Sequence, residues 1–110
     1  MTKATKTLAT LVGVKRIVKR PYKVNIEVRL ASDGFAVTIV ARGTKPLANI
    51  SRILRKYGYK YAVYIDSYGF VRLHIRNLTI SDVALIEKIA YEGLSTLSKT
   101  RHDEFLMIAS

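Results

Sequence analysis

Residues 22–42 read YKVNIEVRLASDGFAVTIVAR, two alternating runs about a central Asp33–Gly34. In the first run Val24, Ile26, Val28 and Leu30 fall on one side of an extended chain, and Lys23, Asn25, Glu27 and Arg29 on the other. That period of two is the mark of a half-buried strand. In the second run Phe35, Val37, Ile39 and Ala41 alternate with Ala36, Thr38, Val40 and Arg42. The Asp-Gly dipeptide predicts a two-residue hairpin loop with both loop residues at positive φ. Pairing Ser32 with Phe35 sets Leu30 opposite Val37 and Val28 opposite Ile39, so the apolar side chains of both strands share a face.

Working outward, KYAVYIDSYGFVRLHIR over residues 60–76 is a second alternating hairpin. A two-residue loop at Tyr68 and Gly69 would mix its faces. A three-residue loop of Ser67, Tyr68 and Gly69 gathers Tyr61, Val63 and Ile65 with Val71, Leu73 and Ile75, with Gly69 in the left-handed position of a bulged turn. Between the hairpins, Pro46 suits a first helical turn, so a helix is expected from about Lys45 to Tyr57, stopping at Gly58. Thr79 and Asp82 match a capping box, and Val83, Ile86, Ile89, Ala90, Leu94 and Leu97 trace a second amphipathic helix ending near Lys99, which Gly93 could kink or loosen. Before the first hairpin, Leu8, Leu11, Val12, Lys15 and Val18 have loose helical spacing. The fold class expected is α+β: a four-stranded antiparallel sheet from two β-hairpins with helices on one face, in the order helix, β-β-α-β-β-α. Residues 1–21 are expected to be a basic segment with helical spacing, 22–99 a single α+β domain and 100–110 a tail.

Charge separates the chain into unequal parts. Nineteen Lys and Arg against eight Asp and Glu in 110 residues give a net charge of +11. Residues 1–76 carry sixteen of the bases and only Glu27, Asp33 and Asp66, whereas residues 77–110 have a slight acidic excess. A polyanionic partner on the first three quarters of the chain follows, and nucleic acid is the obvious polyanion. The chain contains no Cys and two His, which excludes disulfides, thiolate zinc sites and a Cys nucleophile. No apolar run is long enough for a membrane span or a signal peptide, so a cytoplasmic, nucleoid-associated protein without membrane contact is expected. The absence of Gln, Cys and Trp beside abundant Ile, Val, Lys and Arg is the habit of proteins from hot environments.

If the four strands form one sheet, its polar face shows Lys23, Asn25, Arg29, Thr38, Val40 and Arg42 from one hairpin and Tyr64, Phe70, Arg72, His74 and Arg76 from the other. Cations for phosphates beside rings for unpaired bases are what a single strand requires, and duplex DNA needs no such rings. Arg29, Arg42, Arg72 and Arg76, with Lys23, are expected on phosphates; Tyr64, Phe70 and His74 on bases. Arg55, Lys56 and Lys60 add a further basic group at the end of the first helix, where the helix dipole alone would also account for the cations. Five of the seven Tyr fall in residues 57–68, a cluster that strand propensity explains as readily as binding does. Catalysis has little support, since no phosphate-binding loop, zinc motif or paired carboxylates occur. No cofactor is expected.

The small basic layout of KVNIEVRLASDGFAVTIVAR and KYAVYIDSYGFVRLHIR flanked by helices resembles the ThermoDBP proteins, single-stranded DNA-binding proteins of hyperthermophilic archaea, over about residues 10–98. That resemblance implies a four-stranded antiparallel sheet and a basic cleft with apolar and aromatic groups. Some members associate through a C-terminal helical zipper, from which this chain departs because only FLMI (residues 105–108) is apolar after Leu97. The element order is also similar to a half-domain of LAGLIDADG homing endonucleases, but residues 1–26 lack the acidic residue their chemistry needs. VTIVARGTKPLANISRIL is similar to a strand and helix of Alba chromatin proteins, whose hairpin order differs. The function expected is non-enzymatic binding of single-stranded DNA, ahead of RNA, with little sequence preference and with homodimers or higher oligomers possible. The alternatives are a duplex-binding architectural protein using Lys15–Arg20 and the first helix, or a protein-interaction module of a ribonucleoprotein assembly.

Overall fold

The computed structural model describes residues 12–109, and the side chains of residues 12–97. Seven elements follow in order: β1 (Gly13–Lys19), β2 (Tyr22–Ala31), β3 (Gly34–Arg42), α1 (Lys45–Lys56), β4 (Ala62–Ile65), β5 (Phe70–Leu78) and α2 (Ile80–Ala109). The strands form one antiparallel sheet in the order β1-β2-β3-β5-β4. Among the described residues the fold is α+β, with five strands where four were expected, and the order begins with strands. Residues 13–19, expected in a helical N-terminal segment, belong to the sheet; the part of that segment before residue 12 lies outside the described residues.

β1 escaped the alternation test because its inner face is charged. Lys15, Ile17 and Lys19 pair with Ile26, Val24 and Tyr22, and so face the helices. The Lys15 ammonium donates to Glu87 at 3.1 Å, and Lys19 donates to the Tyr91 hydroxyl at 2.6 Å with its nitrogen 4.3 Å from the ring centroid. Because α2 supplies these partners, cations stand where the helix-facing side of a strand ordinarily carries apolar groups.

The first hairpin closes one step earlier than expected. Ala31 pairs with Gly34, Leu30 with Phe35 and Val28 with Val37, so the loop is Ser32 and Asp33. The shift of two positions in the partner strand leaves every side chain on its expected face. Neither loop residue has positive φ; Gly34 alone does, at 128°. A Cβ on Gly34 would also lie 2.9 Å from the Leu78 carbonyl oxygen, so close approach and backbone conformation both require glycine there. The second hairpin follows the expected register: Ile65 pairs with Val71, Val63 with Leu73, and Gly69 has φ 85° in a three-residue loop. Asp66 fastens this loop by accepting the backbone N–H of Tyr68 and Phe70.

Both helices pack on the inner face, over a core that includes Val24, Ile26, Val37, Ile39, Leu73 and Ile75. α1 contributes Leu47, Ile50 and Leu54, and α2 contributes Val83, Ile86, Ile89, Ala90 and Leu94. The capping box forms as expected, with Thr79 Oγ1 accepting the Asp82 N–H at 3.2 Å and Asp82 accepting the Thr79 N–H at 2.9 Å. The Thr79 hydroxyl also donates to Asp82 at 2.9 Å, and Tyr59 donates its hydroxyl to Asp82 at 2.7 Å. Gly93 does not loosen α2. It is the notch against which α1 crosses: a Cβ there would stand 2.8 Å from Ile50 Cγ1, and Asn49 donates to the Gly93 carbonyl at 2.6 Å. The helix does not stop near Lys99 but runs on through the expected tail to Ala109. Among the described residues no helix is long and apolar enough to cross a membrane.

Candidate nucleic-acid interface

Since both helices take the inner face, the outer face is bare of secondary structure among the described residues. Its central strand is β3, flanked by β2 and β5. Ala36, Thr38 and Val40 of β3 point outward yet are 5–8% exposed. Longer side chains on both neighbours close over them: Lys23, Asn25, Glu27 and Arg29 on one side, and Phe70, Arg72, His74 and Arg76 on the other. The result is a furrow along β3, about 20 Å from Ala36 to Arg42 at the usual strand rise.

Three hollows lie along it. At the Arg42 end, Arg16, Lys23, Asn25, Val40, Arg42 and Phe70 line about 280 Å³. Around Thr38, the walls are Glu27, Arg29, Tyr64, Arg72 and His74, enclosing about 330 Å³. Beyond Ala36, Arg29, Asp33, His74 and Arg76 border a third of about 340 Å³. One transverse row, Arg16–Asn25–Val40–Arg72–Tyr64, crosses all five strands.

The cations differ in how far they are already engaged. Arg72 is bracketed by Glu27 at 3.9 Å and Asp66 at 3.8 Å, and Arg76 reaches Asp33 at 3.4 Å. These are long, solvent-screened pairs worth little individually, so a phosphate can displace them. Arg42 sits 5.3 Å from the Phe70 ring centroid, which fixes a cation and a π-face side by side. Arg16 donates to Asn25 at 3.3 Å. His74 shares a hydrogen bond of 2.9 Å with Thr38. Its pKa is pushed below the ordinary imidazole value, first by burial and then by the charges of Arg29 and Arg76. At neutral pH it is therefore an uncharged ring in a cationic wall.

The structure brings Lys23, Arg29, Arg42, Tyr64, Phe70, Arg72, His74 and Arg76 to one face. It does not bring Arg55 and Lys56 there, because α1 packs across the sheet from the furrow, nor Lys60, which lies in the α1–β4 connection. Sequence reasoning counted Arg16 only in the basic run of the duplex alternative and did not place it on this face. The signal available was the run of β-branched residues Val14, Ile17 and Val18 just before Pro21, which suits a strand better than a helix. Tyr64 is 57% exposed, and Tyr68 at the hairpin tip is 83% exposed.

The chain matches no protein-family model, no curated protein and no solved structure. Function is therefore read from the furrow itself.

Proposed function

We propose that this chain is a non-enzymatic nucleic-acid-binding protein that takes a single strand, DNA in preference to RNA, along the furrow over β3. The observation that carries the reading is the convergence, on one face that no described element covers, of six basic side chains, Arg16, Lys23, Arg29, Arg42, Arg72 and Arg76, with the rings of Tyr64 and Phe70. Phosphates neutralise against the walls, while bases stack on Phe70 beside Arg42 and on Tyr64 at the end of the transverse row. The furrow suits the short end of the about 4–16 nucleotide sites that single-strand-binding folds use. Contacts to backbone and π-faces give little sequence preference. A cytoplasmic, nucleoid-associated role fits this chemistry, as does the resemblance to ThermoDBP proteins.

The duplex reading draws less support. Of its basic run, Lys15 and Lys19 are turned to α2 and engaged there, and the α1 cations lie on the opposite layer from Arg16. The test is fluorescence anisotropy with labelled 20-nucleotide single-stranded DNA, matching RNA and matching duplex across a salt series. With about five phosphates neutralised, the log–log salt slope on a single strand is about −3.5. Tyr64→Ala should weaken single-strand binding by about 1–3 kcal/mol, roughly five- to 150-fold. Equal or tighter duplex binding unmoved by that substitution, or a flat salt response, would overturn the proposal.

A further inference from the structure

The two edges of the sheet are built differently. β1 carries Lys15, Arg16 and Lys19, the charged residues by which proteins guard an exposed edge against pairing. β4, reading AVYI, has no charge, no proline and no bulge, and no described strand pairs with its outer side. The Asp66 N–H donates to the Phe70 carbonyl, so in the alternating ladder Asp66, Tyr64 and Ala62 bond to β5, while Val63 and Ile65 turn their N–H and C=O groups outward. Both residues, on the helix side of the sheet, remain 54% and 67% exposed. Val63 also lines an apolar groove with Leu47, Ala48, Tyr61 and Val71.

We infer that the outer edge of β4 pairs antiparallel with β4 of a second copy of this chain, about a two-fold axis through Val63. This goes beyond the nucleic-acid reading and stands on β4 alone. A two-fold axis normal to the sheet keeps like faces together, so only residues of the same parity can lie opposite each other. Centring on Val63 sets Val63 opposite Val63 as a hydrogen-bonded pair and Ala62 opposite Tyr64. Just beyond the strand it also brings Lys60, in the connection before β4, toward Asp66 after it, twice by symmetry, so the flanks of the pairing are complementary in charge. The neighbouring register, centred on Tyr64, instead stacks the two bulky rings on one another and moves Lys60 out of line with Asp66. On the helix side, Val63 and Ile65 of both copies fill the space between the two α1 helices. The product is a ten-stranded sheet about 43 Å across at the usual strand spacing, with both furrows on one face.

The chain has no cysteine, so one introduced thiol reports the register cleanly. Opposed strand residues lie within disulfide reach. Under mild oxidation Val63→Cys should form a covalent dimer, whereas Tyr64→Cys and the control Ser32→Cys at the other hairpin should not. In sedimentation equilibrium the parent chain should be dimeric at micromolar concentration, and Ile65→Lys or Lys60→Glu should raise the dimer dissociation constant at least tenfold. A parent chain that stays monomeric at 100 μM overturns the inference, as does cross-linking through Tyr64→Cys in place of Val63→Cys. If Ile65→Lys fails to fold, the cysteine result decides alone. A monomeric chain that still binds single strands contradicts only this inference; a dimer that binds none contradicts only the nucleic-acid reading.

Discussion

Replacing Gly93 with Ala puts a methyl group where α1 crosses α2. The added Cβ would lie 2.8 Å from Ile50 Cγ1 and 3.3 Å from Ile50 Cα, against an optimal carbon–carbon separation of about 3.5–4.0 Å. Rotating Ile50 can relieve only the first contact. The second is backbone, and Ile50 is fully buried, so the helices must separate by several tenths of an ångström, which also stretches the 2.6 Å bond from Asn49 to the Gly93 carbonyl. Overpacking of this kind costs about 1–3 kcal/mol, and the rigid contact puts Gly93→Ala near the upper end. Ala gains about 1 kcal/mol of helix propensity over Gly. The net expectation is a loss of about 1–2 kcal/mol, or roughly 5–10 °C in Tm for a chain of this size. Thermal unfolding by circular dichroism reads this directly, with Glu92→Ala on the exposed side of α2 as a control expected within about 0.5 kcal/mol of the parent. An unchanged or raised Tm would refute the packing argument and return Gly93 to the role of a helix-loosening residue.

Thr79→Ala removes the oxygen that caps α2 and should cost about 1 kcal/mol, measured by urea denaturation. The Asp82 carboxyl is held below its ordinary range, first by the Thr79 N–H and then by the Tyr59 and Thr79 hydroxyls. Its stabilisation is therefore present above the unfolded carboxylate pKa and lost as pH falls through the lower folded value, so a denaturation series should show stability dropping in acid, less so in Asp82→Asn. The Tyr59 hydroxyl is pushed up to about 12 by burial and by Asp82. Its contribution is complete below the unfolded phenol pKa of about 10 and disappears as pH rises toward 12, which tyrosinate absorbance compared with Tyr59→Phe can follow. By NMR, His74 should titrate below the ordinary imidazole value, and Thr38→Val, which removes the shared hydrogen bond but leaves Arg29 and Arg76, should not return it to normal.

The register and loop of the second hairpin were legible to the residue, though not its strand ends at Ala62 and Leu78, because a wrong loop length would have mixed apolar and polar faces, a penalty that alternation exposes. In the first hairpin a shift of two positions leaves all faces intact, so side-chain phase could not distinguish an Asp33–Gly34 loop from Ser32–Asp33; the decisive contact, Gly34 against the Leu78 carbonyl, is remote in sequence. The capping box was legible because Thr79 and Asp82 are local partners. β1 was not, since Lys15 and Lys19 face inward only by virtue of Glu87 and Tyr91, some seventy residues away. Arg16 was lost from the candidate site along with it. For the furrow, phase alone placed the residues of β2, β3 and β5 on a common face. Arg55 and Lys56 were grouped with them by charge, which carries no information about layer.

The central claim is that the nucleic acid lies in the furrow over β3, and amide chemical-shift mapping of the labelled protein with a short single-stranded oligonucleotide tests it most directly. The account predicts that perturbations follow Arg16, Asn25, Val40, Arg72 and Tyr64 across the sheet and Thr38 and Arg42 along it, with α1 unmoved. Shifts concentrated on Arg52, Arg55 and Lys56 of α1, with the furrow silent, would contradict it.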